Sequence, residues 1–289
     1  MICRDITIRL GDVFLRLTGE VPIIPEDSYL ARFRAEENEA DVLCRIEQKD
    51  ELKTPEGECV FHSPMRQVVR TEDALCVAHF SVSSESPSAI LTVFDKEPDV
   101  LELALRGGDS ECLHQRILNS IAMEHLLLRH GHAIFHAAWF ERQGSAVLFS
   151  GDSGAGKSTH TNLWARERSV YAVNGDRALL LRRNETIFAA GLPYAGSSGI
   201  CENRILPVRT VVFLSHGKGN DLRRLPPGEA VRALVSQMPV QKWCADDLSS
   251  AMQMALTVAE RVPIYAYACL PNSSSVDFLE QALFSKEKP

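Results

Sequence analysis

Along the first hundred residues, apolar and polar positions alternate in short runs: "ITIRL" and "DVFLRL", then "ADVLCRIEQ", "MRQVVRT", "ALCVAHFSV" and "AILTVFD". A period of two places every second side chain on one face of a sheet, and the turn-forming "TPEGE" and "SSESPS" separate the runs. The pattern predicts an antiparallel, β-rich N-terminal region over 1–112. The period changes within "GGDSECLHQRILNSIAMEHLLLRHG", where Leu113, Ile117, Ile121, Met123, Leu126 and Leu127 fall near one face of a 3.6-residue repeat. One helix is expected there, capped by Asp109 or Ser110 and stopped at Gly131. Beyond it, "HAIFHAAWFE", "SAVLFS", "VYAVNGD", "ALLLRR", "TIFAAG", "RTVVFLSHG" and "IYAYACL" read as strands, the first being one arm of a hairpin whose other arm feeds the loop that follows. "PGEAVRALVSQM", "DDLSSAMQMALTVAERV" and "SSVDFLEQALF" read as helices. The expected class is α/β with a mixed α+β sheet over 113–289, preceded by the β-rich region.

Composition narrows the function classes. The chain has 289 residues, 45% of them hydrophobic and 24% charged, enough for a sizeable core. Its net charge of −7 argues against nucleic acid as a partner, which calls for a basic stripe. No run of apolar residues approaches a membrane span, and "MICRDITIRLGD" is charged too early for a secretory signal, so no membrane partner and a cytoplasmic location are expected. Eight scattered cysteines with no CxxC pair read as reduced thiols filling the core.

The chemistry concentrates in "FSGDSGAGKSTHTNLW". Gly151, Gly156, Lys157 and Ser158 satisfy G-x-x-x-x-G-K-[ST], between an apolar strand and a helix. In that setting the backbone N–H groups of Gly151, Asp152, Ser153, Gly154, Ala155, Gly156, Lys157, Ser158 and Thr159 form a phosphate cradle at a helix N-terminus. Lys157 then reaches the terminal phosphates, and the Ser158 hydroxyl is a Mg²⁺ ligand. A bound triphosphate also needs a carboxylate. Asp176, at the end of "SVYAVNGD", stands one helix and one strand later as metal ligand or proton acceptor, against the alternative of a turn residue in an N-G-D hairpin. His136 starts the hairpin that feeds the loop and reads either as structural or as a second candidate base, while His130 and His132 read as helix-end residues. Arg177 pairs with phosphate or with an acidic neighbour. In "GLPYAGSSGICENR", Ser197 and Ser198 are candidate substrate contacts, Glu202 a candidate metal ligand and Arg204 a charge clamp, unless the stretch is a plain connector. Asp246 and Asp247 read only as helix-start residues.

From roughly residue 119 onward the chain resembles the catalytic domain of HPr kinase/phosphorylase and the related kinases that share a fold with phosphoenolpyruvate carboxykinase. The carriers are "FSGDSGAGKST", the histidine fifteen residues before Gly151, and "NGDRALL". The resemblance implies ATP at the loop, Mg²⁺ at Ser158 and Asp176, His136 near the transferred phosphate, and a homo-oligomer. Two features depart from that pattern: Gly175 stands where the family has the first of two aspartates, and the glycine-rich signature is replaced by "AAGLPYAGSSGICENR". HPr is therefore not the expected acceptor. The expectation is an ATP- and Mg²⁺-dependent kinase acting on a hydroxyl of a small molecule or a peptide serine, with an ATP-binding regulator as the alternative.

Overall fold

The computed structural model describes residues 5–19, 28–36, 39–82, 84–107 and 113–284, apart from the Ser197 side chain. The expected caps Asp109 and Ser110, with Cys3 and Cys112, lie outside the described residues. Among the described residues Cys44, Cys76, Cys201 and Cys269 are buried, Cys244 is half-buried and Cys59 is exposed, and none of these six is in a disulfide. The chain divides into two compact units, Met1–His130 with Val240–Asp247, and Gly131–Pro239 with Leu248–Pro289. The change of unit falls after the helical stretch rather than before it at 112/113, and eight late residues return to the first unit.

In the first unit, β1 (Asp5–Leu10), β2 (Val13–Gly19), β3 (Val42–Lys49), β4 (Glu58–Ser63), β5 (Arg66–Arg70), β6 (Ala74–His79), β7 (Ala89–Phe94) and β8 (Val100–Arg106) form one sheet. Its order is β1-β2-β3-β8-β7-β6-β5-β4. Alternation buries one face, as with Val13, Leu15 and Leu17 on β2 and Leu101, Leu103 and Leu105 on β8. The sheet is mixed, not antiparallel throughout, because β3 runs parallel to both β2 and β8. Parallel neighbours need long connections, and β2 joins β3 across a long stretch while the four strands β4 to β7 intervene between β3 and β8. The expected single helix is two, α1 (Leu113–Ser120) and α2 (Met123–Arg129), with Ala122 left-handed at φ 51° between them. Ile121, Ala122 and Met123 are consecutive and all buried. A straight helix would spread three consecutive side chains over about 200° of its circumference, so the break lets all three reach the core.

In the second unit, β9 (Ala133–His136), β10 (Ala138–Arg142), β11 (Ser145–Ser150), β12 (Tyr171–Asn174), β13 (Arg177–Arg183), β14 (Thr186–Ala190) and β15 (Ile205–His216) form a sheet in the order β12-β10-β11-β15-β14-β13-β9. β16 (Asp221–Arg224) and β17 (Ile264–Cys269) join it through β15. β15 runs parallel to β11 and β17, and the other pairings are antiparallel. Helix α3 (Lys157–Arg168) leaves the loop after β11; α4 (Pro227–Ser236), α5 (Ala245–Arg261) and α6 (Ser273–Phe284) follow. Phe140, Phe149 and Trp164 pack with Val212, Leu214, Tyr267 and Leu279, with Trp164 stacked 5.0 Å from Phe140. Those contacts tie α3 and α6 to the sheet and fix where the loop before α3 sits. No helix among the described residues is long and apolar enough to cross a membrane.

Candidate functional site

The glycine-rich loop occupies the carboxyl end of β11 and opens α3. Gly151 has φ 132°, and a Cβ there would come within 2.8 Å of the Leu214 carbonyl oxygen, so both backbone angle and space call for glycine. Gly156 precedes α3 without a side chain to cap it, which leaves the first-turn N–H groups to an outside acceptor. Lys157 Nζ donates to the carbonyls of Gly151 at 2.9 Å and Asp152 at 3.1 Å, inside the curl of the loop. Burial pushes the Lys157 ammonium down from the usual lysine range, and the charges of Asp176 and Asp152 pull it back up. Asp152, Ser153, Gly154, Ser158 and Thr159 are exposed, Ala155 half-buried.

His136 and Asp176 stand next to this loop. Ser150, the last residue of β11, is fully buried and donates its hydroxyl to the His136 carbonyl at 2.7 Å. The Ala137 N–H bonds the Asp176 carbonyl at 3.0 Å. His136 Nε2 lies 3.4 Å from Asp176 Oδ1, and Arg177 Nε donates to Oδ2 at 3.2 Å. The hydrogen bond from His136 is the largest influence holding the Asp176 carboxyl below the usual range; Arg177 adds to it and burial opposes. Asp176 is therefore a carboxylate at neutral pH. The N-G-D hairpin does not form, because β12 pairs with β10, and β13 with β9 and β14.

Asn174 explains how Asp176 is held. It is fully buried and uses both ends of its amide: Nδ2 donates to the carbonyls of Leu192 and Tyr194 at 3.1 and 2.9 Å. Its Oδ1 accepts from the Asp176 and Arg177 N–H groups at 2.8 and 2.9 Å. The stretch after β14 is thereby brought to the strand end. Ser198 Oγ donates to the Ala195 carbonyl at 2.8 Å and accepts from Ile200 N at 3.2 Å. A Cβ at Gly175 would fall on the Ser198 side chain, and one at Gly196 would lie 2.8 Å from Asp176 Cβ. Arg177 lies over the Tyr194 ring, 4.5 Å from its centroid.

Not every expected residue gathers here. Arg204 pairs with Glu141 at 2.5 Å and lies over Tyr171. Glu141 faces Ala146, four residues and about 13 Å of strand from the loop end of β11, so Arg204 is not at the loop. Glu202 is half-buried, its N–H bonded to the Val173 carbonyl at 2.9 Å. The Ser197 side chain lies outside the described residues. Sequence reasoning passed over Ser150, Asn174 and His216. His216 Nε2 meets the Gly154 carbonyl at 3.0 Å, and it was findable: it ends β15, which runs parallel beside β11 and so finishes on the same sheet edge.

The donors present suit the expected ligands. Ser158 offers an exposed hydroxyl and Asp176 an ionised carboxylate, the hard oxygen donors that Mg²⁺ takes alongside water. Beside Asp176 lies a cavity of about 340 Å³ lined by His136, Asp176, Arg177, Gln237, Met238 and Pro239 among others.

No family model matches the chain, and no curated protein matches it. Among solved structures it aligns with the Hpr(Ser) kinase/phosphatase from Coxiella burnetii at 12% identity, over 52% of this chain and 94% of that one, with a TM-score of 0.32. At that level of similarity neither fold nor activity passes from one protein to the other.

Proposed function

We propose that this chain is an ATP- and Mg²⁺-dependent kinase that transfers the γ-phosphoryl group to a hydroxyl of a small molecule or a peptide serine. The observation that carries the reading is the convergence of a glycine-rich loop, Lys157 and an ionised Asp176 bonded to His136 at one edge of one sheet. The N–H groups of Gly151 to Thr159 and the Lys157 ammonium bind the phosphates, and Ser158 and Asp176 would hold Mg²⁺, whose charge would offset that of the phosphates. The acceptor enters the cavity beside His136 and Asp176, and either His136 or Asp176 takes the hydroxyl proton. Positioning does most of the work, because a loose phosphoryl-transfer transition state asks for little covalent help.

The test separates binding from transfer. Lys157→Ala is expected to weaken ATP binding at least tenfold by calorimetry, whereas Asp176→Asn is expected to bind ATP within a few-fold of wild type and to lose at least about 100-fold in transfer. Full transfer by Asp176→Asn would remove that residue from the reaction. Gly175 favours a second reading, an ATP-binding regulator, since it denies the site a second neighbouring carboxylate. That reading gains if wild type binds ATP and no acceptor accelerates its consumption.

A further inference from the structure

The first unit brings together a histidine, a cysteine and an aspartate for which the phosphate site has no use. His125 comes from α2, Cys244 stands just before α5, and Asp247 lies in the first turn of α5. One donor atom from each lies within 4.8 Å of the other two. His125 Nδ1 and Asp247 Oδ1 are 2.8 Å apart, and the Asp247 side chain is only 2% exposed. The expectation that Asp247 merely faces the helix dipole is therefore incomplete, because its carboxylate is buried against an imidazole.

The surroundings orient the imidazole and the carboxylate. Trp243 packs its ring 4.8 Å from that of His125 at 59°, which sets the imidazole plane. Asp247 Oδ2 accepts from the Gln241 N–H at 3.3 Å, leaving Oδ1 turned to the histidine. The pairing with His125 satisfies the buried Asp247 carboxylate, but it does not involve the Cys244 thiol that lies with them.

We propose that His125, Cys244 and Asp247 form a Zn²⁺ site, with one sulfur, one imidazole nitrogen and one carboxylate oxygen as ligands and water in the fourth position. The mixed soft and borderline donor set suits Zn²⁺ and not Mg²⁺, so this site and the phosphate site do not compete for one ion. Tetrahedral Zn²⁺ at 2.0–2.3 Å holds its ligand atoms about 3.3–3.7 Å apart, so the histidine and aspartate open by about half an ångström and the thiol closes by about 1 Å at most. On binding, the Cys244 thiol releases its proton to solvent, the proton on His125 Nδ1 passes to Nε2 or, where Nε2 already carries one, to solvent, and the His125 to Asp247 hydrogen bond is exchanged for two metal bonds. The ion cross-links α2 to the 240–247 segment within the first unit.

The test uses the full chain, stripped of metal and free of nucleotide, titrated with Co²⁺ as the probe. One equivalent is expected to produce thiolate-to-cobalt charge-transfer absorption in the near ultraviolet, and one equivalent of Zn²⁺ to abolish it. Cys244→Ser, which keeps a capping oxygen at the helix start, is expected to lose the charge-transfer band, and His125→Ala to bind at least tenfold more weakly, both with wild-type circular dichroism. Absence of the band in the wild-type chain, or an equal band in both variants, would overturn the assignment.

Discussion

Asn174 carries more of this site than any residue that touches the expected phosphate. Its amide donates twice and accepts twice, and all four bonds serve the approach of the 192–194 stretch to the Asp176 turn. Replacing it with alanine leaves two carbonyls and two N–H groups without their partner in a buried setting. Asn174→Ala is expected to cost about 3 kcal/mol, read as a lower urea midpoint at unchanged slope, and to lower transfer by displacing Asp176. A variant within about 0.5 kcal/mol of wild type would show that solvent replaces those bonds. The sequence made Lys157, Ser158 and Asp176 candidates because motif and spacing report them. It did not disclose Asn174 or Ser150, whose value lies in carbonyls brought to them from distant parts of the chain.

At the scale of elements, period-two and period-3.6 patterns located most strands and helices, and the loop stands between strand and helix as its glycines require. The failures have physical causes. Strand β4 was missed because its residues are exposed or half-buried, so no apolar alternation marks it. The parallel placement of β3 depends on which edges are free once the sheet assembles, and no local pattern encodes that. The glycine at 175, read as a departure from a carboxylate pair, has a packing reason in the folded chain: the turn that carries Ser198 occupies the space a side chain would need. Arg204 looked like a clamp because it follows a glycine-rich stretch, yet β15 starts beside β14 and carries it toward Glu141.

For the whole molecule, the return of Val240–Asp247 to the first unit was invisible in sequence, since its links are single side chains. Gln241 accepts from Arg66 at 2.6 Å and donates to Glu124 at 3.1 Å. The same unit sets an acid limit on stability. Burial, helped by the charge of Arg66, pushes the His79 imidazole down to about 4 from its unfolded value of 6.5. Between those two values the unfolded chain binds the proton and the folded chain does not, so the contribution is fully present above pH 6.5 and is lost as pH falls to about 4. The loss amounts to about 3 kcal/mol, and urea unfolding at pH 7 and pH 4 should show it shrinking in His79→Gln. Equal acid sensitivity in that variant would assign the effect to other groups.

The most direct measurement follows the γ-phosphoryl group itself. Wild type and Lys157→Ala are incubated with Mg²⁺ and γ-labelled ATP, alongside a small-molecule fraction and, separately, a polypeptide fraction of a cell extract. The account predicts label in one organic product or one polypeptide with wild type and none with Lys157→Ala. Label appearing only as inorganic phosphate, or remaining in ATP that the protein has bound, would contradict a kinase at Lys157, Asp176 and His136.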